Sequence, residues 1–258
     1  YAEIDVGADP ARRAEMMQII DWRLAECERL GVRFRFNSFA DGDAVLEDTP
    51  DVVIVATGGL PDTGVPGVPE DLVVSAWDII AGDAQPGRDV LIFDDAGDYP
   101  ALQAAEKIAA TGAKVEVATR DRGISSEVMS MSLTPAMRAL QGKDVTFSIT
   151  WKLVGLRREG NALVATLGSD FSAATRERRV DQVVVNHGTR PLDDVYFELR
   201  DGSVNLGEVD YGALISGAPQ EVVRNPEGAY RLYRIGDAVS ARNTHAAIYD
   251  ALRLCKAI

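Results

Sequence analysis

Two short stretches carry residue types suited to holding a nucleotide. Thr57-Gly58-Gly59 lies just past the β-branched run 51–55, one residue on, and Gly236-Asp237 directly follows the run 230–235. Glycine at the carboxyl end of a buried parallel strand lets the backbone approach a ligand closely, and that edge of an open α/β sheet is where nucleotides bind. The short side chain of Asp237 can accept hydrogen bonds from ribose or ribityl hydroxyls. Free N–H groups of a helix that follows would favour an anionic or electron-rich ligand atom.

A third stretch is informative by what it lacks. The segment 88–119 reads strand, turn, helix, turn, strand, a parallel crossover unit. A dinucleotide fingerprint needs three glycines in its first turn, but the aligned positions hold Asp94, Ala96 and Tyr99. Asp94, Asp95 and Asp98 would place carboxylates where a pyrophosphate should lie, and like charges about 5 Å apart repel by a few kcal/mol in an intermediate dielectric. Arg120 and Arg122 follow the next strand but, without the glycine turn, read as solvated surface residues. This segment is therefore not expected to bind NAD(P)H. His187 and His245 read as structural, and Cys27 and Cys255, on apolar helical faces, as core thiols. There is no Ser-His-Asp pattern and no phosphate-loop motif.

The elements that position these residues follow from hydrophobic period. Asp9 as N-cap and Pro10 as first helical residue open a helix whose stripe is Met16, Ile19, Ile20, Leu24, Cys27 and Leu30, closed by Gly31. Val32, Phe34 and Phe36 alternate with polar residues and predict a strand with one buried face, followed by Phe39-Ala40. Residues 61–69, rich in proline and glycine, form a loop. A helix is expected over 129–140, two or three antiparallel strands over 145–167 with a turn at Gly160-Asn161, a buried strand over 180–185 and a closing helix over 244–258. The stretch 51–61 also repeats at 181–191, with Asp, two Val, Gly and Pro at matching offsets. Two copies of one nucleotide-binding architecture explain the repeat. The second copy has its opening crossover, whereas the first has only residues 1–37 in front of it, so the chain is expected to begin inside a domain.

The chain has 258 residues, 46% of them hydrophobic and 26% charged, the composition of a globular protein. With 27 Lys and Arg against 40 Asp and Glu, the net charge of −13 argues against phosphate-backbone binding, so no nucleic-acid partner is expected. No apolar run is long enough for a spanning helix, so no membrane is expected. Two cysteines exclude an iron–sulfur cluster or a four-cysteine zinc site within this chain. With only two histidines besides, no protein-only transition-metal site is expected, and the absence of a disulfide framework points to the cytoplasm.

The stretches 51–59 (DVVIVATGG), 181–197 (DQVVVNHGTRPLDDVYF), 204–211 (VNLGEVDY) and 234–254 (RIGDAVSARNTHAAIYDALRL) resemble the trimethylamine dehydrogenase, histamine dehydrogenase and dienoyl-CoA reductase branch of the old yellow enzyme relatives. Within that branch they are most similar to dimethylglycine and stachydrine (N-methylproline) demethylases. The resemblance implies an α/β fold with two Rossmann-like nucleotide-binding domains of the flavoprotein disulfide-reductase type, the first incomplete at its N-terminus. It places part of an ADP- or FAD-binding domain at 1–80, a degenerate NAD(P)-binding-like domain at 81–192 and a return to the first domain at 193–258. It assigns ADP or FAD to Thr57, Gly58, Gly59, Gly236 and Asp237, with Ala40 beside the adenine. It implies that FMN and a [4Fe-4S] cluster lie on an N-terminal barrel missing here and that an electron-transfer flavoprotein or similar carrier accepts the electrons; apart from the resemblance, a homo-oligomer is left open. The function implied is the nucleotide-binding region of an amine dehydrogenase or N-demethylase. An NAD(P)H-dependent enoate or dienoyl-CoA reductase and a non-catalytic interaction domain are the alternatives.

Overall fold

The computed structural model describes residues 15–258. In chain order, the helices are α1 (Gln18–Arg29), α2 (Gly42–Leu46), α3 (Ala76–Ala81), α4 (Tyr99–Ala110), α5 (Ser130–Leu140), α6 (Asp194–Arg200), α7 (Tyr211–Ser216) and α8 (Thr244–Cys255). The strands are β1 (Val52–Val55), β2 (Gly59–Pro61), β3 (Val73–Ser75), β4 (Asp89–Asp94), β5 (Lys114–Thr119), β6 (Val145–Ile149), β7 (Lys152–Glu159), β8 (Ala162–Gly168), β9 (Thr175–Val180), β10 (Gln182–Asn186), β11 (Thr189–Pro191) and β12 (Arg231–Arg234). They fall into two units, one of residues 15–22 with 61–188 and one of residues 23–60 with 189–258. The crossings lie at 60/61 and 188/189 rather than at the 80/81 and 192/193 expected from sequence, because β3 pairs with β10 and so draws 61–80 into the central unit.

The central unit is built on a parallel sheet of order β3-β10-β4-β5-β6. Its strands are covered on both faces, which is why β4 reads as a continuous apolar run. Val90, Ile92, Val115 and Val117 point to one face, where Ala101, Leu102, Ala105 and Ile108 of α4 pack beside Ile79 and Ile80 of α3. Leu91, Phe93, Val183 and Val185 point to the other, against Leu153, Leu156, Leu163 and Leu167 of the antiparallel sheet β7-β8-β9. Each such large side chain, fully buried, contributes about 1.5–3 kcal/mol.

The expected antiparallel run over 145–167 is only partly present. Its first strand, β6, instead pairs parallel with β5, and the hairpin β7–β8 turns at Gly160 with φ of 61°. The strand expected over 180–185 is two strands. Val180 ends β9 and Gln182 begins β10, with Asp181 between them donating its N–H to the Asp89 carbonyl (2.8 Å).

The second unit holds the parallel pair β1–β12, with Val53 and Val55 packed against Leu232, Tyr196, Leu199 and Ala238. Asn205 is fully buried and serves β12 as a neighbouring strand would. It accepts from the Leu232 N–H (2.9 Å) and donates to the Leu232 carbonyl (2.8 Å).

Three expectations change here. The start of the first helix at Asp9 and Pro10 lies outside the described residues. Its end is as expected: Gly31, at φ 75°, gives its N–H to Glu28 while Val32 bonds back to Cys27. Of the stripe expected on that helix only Ile20 is buried, and Leu30 is 63% exposed. Residues 32–36 form no strand. No described strand pairs with them, and an extended segment with unpaired N–H and C=O groups is not stable alone. Val32, Phe34 and Phe36 are accordingly exposed, the two rings stacked 5.2 Å apart. Finally, Cys255 is exposed and Cys27 half-buried, so neither is a core thiol. Among the described residues no helix is long and apolar enough to cross a membrane, and no three His, Cys, Asp or Glu side chains are grouped to hold a metal.

Candidate nucleotide-binding site

The repeat has a structural counterpart. Each copy runs strand, glycine with positive φ, short strand: β1, Gly58 (φ 73°), β2 in the first, and β10, Gly188 (φ 121°), β11 in the second. The short strands pair, and the bonds around them are matched. Leu192 donates its N–H to the Gly58 carbonyl (2.9 Å), and Asp62, its equivalent, donates to the Gly188 carbonyl (2.8 Å).

In the second unit, Val55 lies beside Arg234, and the Ile235 N–H donates to the Val55 carbonyl (3.0 Å). The Thr57-Gly58-Gly59 turn and the Gly236-Asp237 turn therefore leave adjacent parallel strands at the same edge. Gly58 is left-handed, and a Cβ placed on it would meet nothing within 4 Å, so its glycine serves conformation and leaves open space beside the backbone. Gly59 is glycine for a different reason: a Cβ there would lie 2.5 Å from Thr189 Cγ2 and 2.6 Å from the Arg190 carbonyl oxygen. Thr57 donates its hydroxyl to the Leu192 carbonyl and so ties the turn to the residue that follows β11. Ala40 is exposed next to Asp41, the N-cap of α2, and the Gly42 N–H of that short helix donates to Glu198 of α6 (2.9 Å).

The Gly236-Asp237 turn is a short 3-10 turn, and α8 begins only at Thr244 with Asn243 as its cap. The expected assistance from free helix N–H groups directly after Asp237 is thus absent. The Gly236 N–H instead donates to Asp250 on α8 (3.2 Å), and Asp237 Oδ1 accepts the Arg242 N–H (3.2 Å). Arg242 and Asp250 were not singled out by sequence; their pairing, a fork of the guanidinium on the carboxylate, joins the loop to the helix. Arg234, also unforeseen, pairs with Asp193 and lies 4.5 Å over the Tyr196 ring, fixing α6 against the end of β12. The spacing of Arg242 to Asp250 across the helix start was the one available signal, and it is visible only once that start is known.

The corresponding edge of the central unit is closed by its own residues. Asp94 is wholly buried, and its Oδ1 accepts the Gly97 N–H (2.9 Å) and the Asn186 side-chain amide (2.9 Å). The same amide donates to Asp98 (2.6 Å), while the Asp95 and Ala96 N–H groups go to the Asn186 carbonyl. The turn amides that would cradle a phosphate are therefore consumed internally. Burial raises the Asp94 carboxyl to about 6 against the pull of its hydrogen bonds, and burial likewise raises Asp98. His187 Nδ1 lies 2.8 Å from Asp95. Arg120 is not simply solvated: it pairs with Asp170 (3.0 Å) and faces Asp95 at 3.7 Å.

No family model matches the chain. It is 58% identical over 256 residues to a probable N-methylproline demethylase of Rhizobium meliloti (strain 1021), covering 99% of this chain and 38% of that protein. It is 40% identical over 265 residues to an N,N-dimethylglycine/sarcosine dehydrogenase of Chromohalobacter salexigens, covering 98% of this chain and 38% of that protein. Among solved structures, a 2-naphthoyl-CoA reductase matches with a TM-score of 0.76 at 21% identity, covering 99% of this chain and 34% of the other, a likeness of fold. By fold, then, the chain is of the α/β class with parallel sheets that such oxidoreductases contain. By sequence it belongs to the family of the N-methylproline demethylase and the dimethylglycine/sarcosine dehydrogenase, of whose length it spans a little over a third (38%).

Proposed function

We propose that this chain is the nucleotide-binding region of a flavin-dependent amine dehydrogenase or N-demethylase, with the adenine nucleotide of ADP or FAD held at the carboxyl ends of β1 and β12. The observation that carries the reading is the juxtaposition of an open left-handed Gly58 with the Gly236-Asp237 turn on adjacent parallel strands. Gly58 would admit ligand close to the backbone, and Asp237 would accept a sugar hydroxyl through the carboxylate oxygen not bonded to the Arg242 N–H. Thr57 and Gly59 would hold the turn's shape rather than touch ligand, since both are engaged by 189–192. Both units are read as Rossmann-like.

The family relationship supports oxidation of the C–N bond of an N-methylated amino acid as the activity of the whole protein. Its redox chemistry would be supplied by FMN and an iron–sulfur cluster on parts of the protein outside this chain, with electrons passing to an electron-transfer flavoprotein or similar carrier. The central unit would contribute no NAD(P)H site, because Asp94 and Asn186 take the amides a pyrophosphate would need. Asp237→Ala tests the site. A lost hydroxyl-to-carboxylate hydrogen bond is worth about 1.5–3 kcal/mol, so ADP or FAD should bind on the order of 10- to 150-fold more weakly. Unchanged affinity in a calorimetric titration would remove Asp237 from the site.

A further inference from the structure

Nucleotide binding needs groups for both ends of the ligand's polarity: acceptors for sugar hydroxyls and a cation or free amides for phosphates. At the edge formed by β1 and β12 the acceptor is Asp237. The amides are less available than the sequence suggested, since the Gly236 N–H is given to Asp250 and the start of α8 is capped by the side chain of Asn243 (2.9 Å to the Ala246 N–H). Of the two segments that leave the strand ends, 56–60 and 235–243, Arg242 is the one cationic residue. Its backbone N–H donates to Asp237 (3.2 Å), so the two are held as neighbours by a direct bond.

The side chain is positioned as well as charged. Asp250, two turns along α8, accepts both terminal nitrogens of the Arg242 guanidinium and also the Gly236 N–H. A guanidinium has five N–H donors in a rigid plane, and the fork to one carboxylate uses two. The Arg242 side chain is 40% exposed, so solvent reaches it. Its carboxylate partner raises its already high pKa, and it stays charged at every working pH.

Resting on the nucleotide reading above, we propose that Arg242 is the phosphate-binding residue of this site, with Asp250 as the positioning residue that aims it. Asp237 and Arg242 then divide the nucleotide between them, sugar to the carboxylate and phosphates to the guanidinium, in a loop that Asp250 fastens to the helix behind it.

The test compares ADP with adenosine, which differ only in the phosphates. Protein freed of bound nucleotide is titrated with each, for the unchanged sequence and for Arg242→Gln and Arg242→Lys. ADP affinity is expected to fall on the order of 10- to 100-fold in Arg242→Gln, with Arg242→Lys between the two and adenosine affinity unchanged in all three. The thermal midpoint of Arg242→Gln should stay close to that of the unchanged protein, since the side chain is at the surface. Equal ADP affinity in Arg242→Gln and the unchanged protein would overturn the assignment. So would a parallel loss for ADP and adenosine, which would make Arg242 a support of the loop and not a phosphate ligand. If the unchanged protein binds neither ADP nor FAD, the nucleotide site itself is wrong and Arg242 falls with it.

Discussion

Asp94→Asn should make the protein's stability rise relative to the unchanged sequence as pH increases from about 4.5 to about 7.5. The reason lies in burial. The Asp94 carboxyl has no exposed surface, and desolvation outweighs its bonds from Asn186 and Gly97, lifting it from 3.8 to about 6. Asp98 and Asp121 face it and push in the same direction. A carboxyl that binds its proton more tightly folded than unfolded adds stability below its unfolded pKa. It loses that stability as pH rises through the interval up to the folded value. A shift of about two units corresponds to about 3 kcal/mol, of which about 2 kcal/mol lies between about pH 4.5 and about pH 7.5. The asparagine keeps an oxygen for the Gly97 N–H and the Asn186 amide but cannot ionise. Subtracting the two proteins' urea-unfolding free energies at each pH cancels every other titrating group to first order. A difference that moves by about 2 kcal/mol toward the variant is expected. A flat difference, or one that moves toward the unchanged protein, would refute the picture of a carboxylate forced into a dry turn.

Gly59→Ala should destabilise by about 1–3 kcal/mol, because its Cβ would overlap Thr189 and the Arg190 carbonyl; a thermal melt checks it, and an unshifted midpoint would mean the β2–β11 contact is loose. Glu116→Gln should cost about 3 kcal/mol in denaturant unfolding at neutral pH. Burial alone would raise the Glu116 carboxyl, yet Ser148, Arg176 and Arg178 together hold it below the usual range, so its charge is what those two guanidinium groups are built around. A loss below the error of the unfolding curve would mean that solvent supplies what the carboxylate does.

The parallel core was legible in sequence because its signal is local and redundant. A strand buried on both faces is apolar at every position, as in 90–93 and 183–185, and the intervening helix declares itself by period and by Gly112. The repeat was legible for the same reason, and the matched bonds of Gly58 and Gly188 show why it persists. Where a segment depends on a distant neighbour, sequence misled. Residues 32–36 alternate as a strand should, but alternation only describes a face, and no described strand offers the ladder. The assignment of β6 to an antiparallel set failed because strand direction is set by the partner, β5, and not by the strand's own residues. In the site, glycines and Asp237 stood out by type, whereas Arg242, Asp250 and Arg234 acquire meaning only through contacts made across the fold.

Titration of the protein with ADP, FAD and NADPH in parallel addresses the central claim most directly. Saturable binding of ADP or FAD at one site, with no NADPH binding at the same concentrations, is expected from an open β1–β12 edge and a turn after β4 filled by Asp94. Saturable NADPH binding that Asp94→Asn leaves unchanged, with no heat from ADP or FAD, would contradict it.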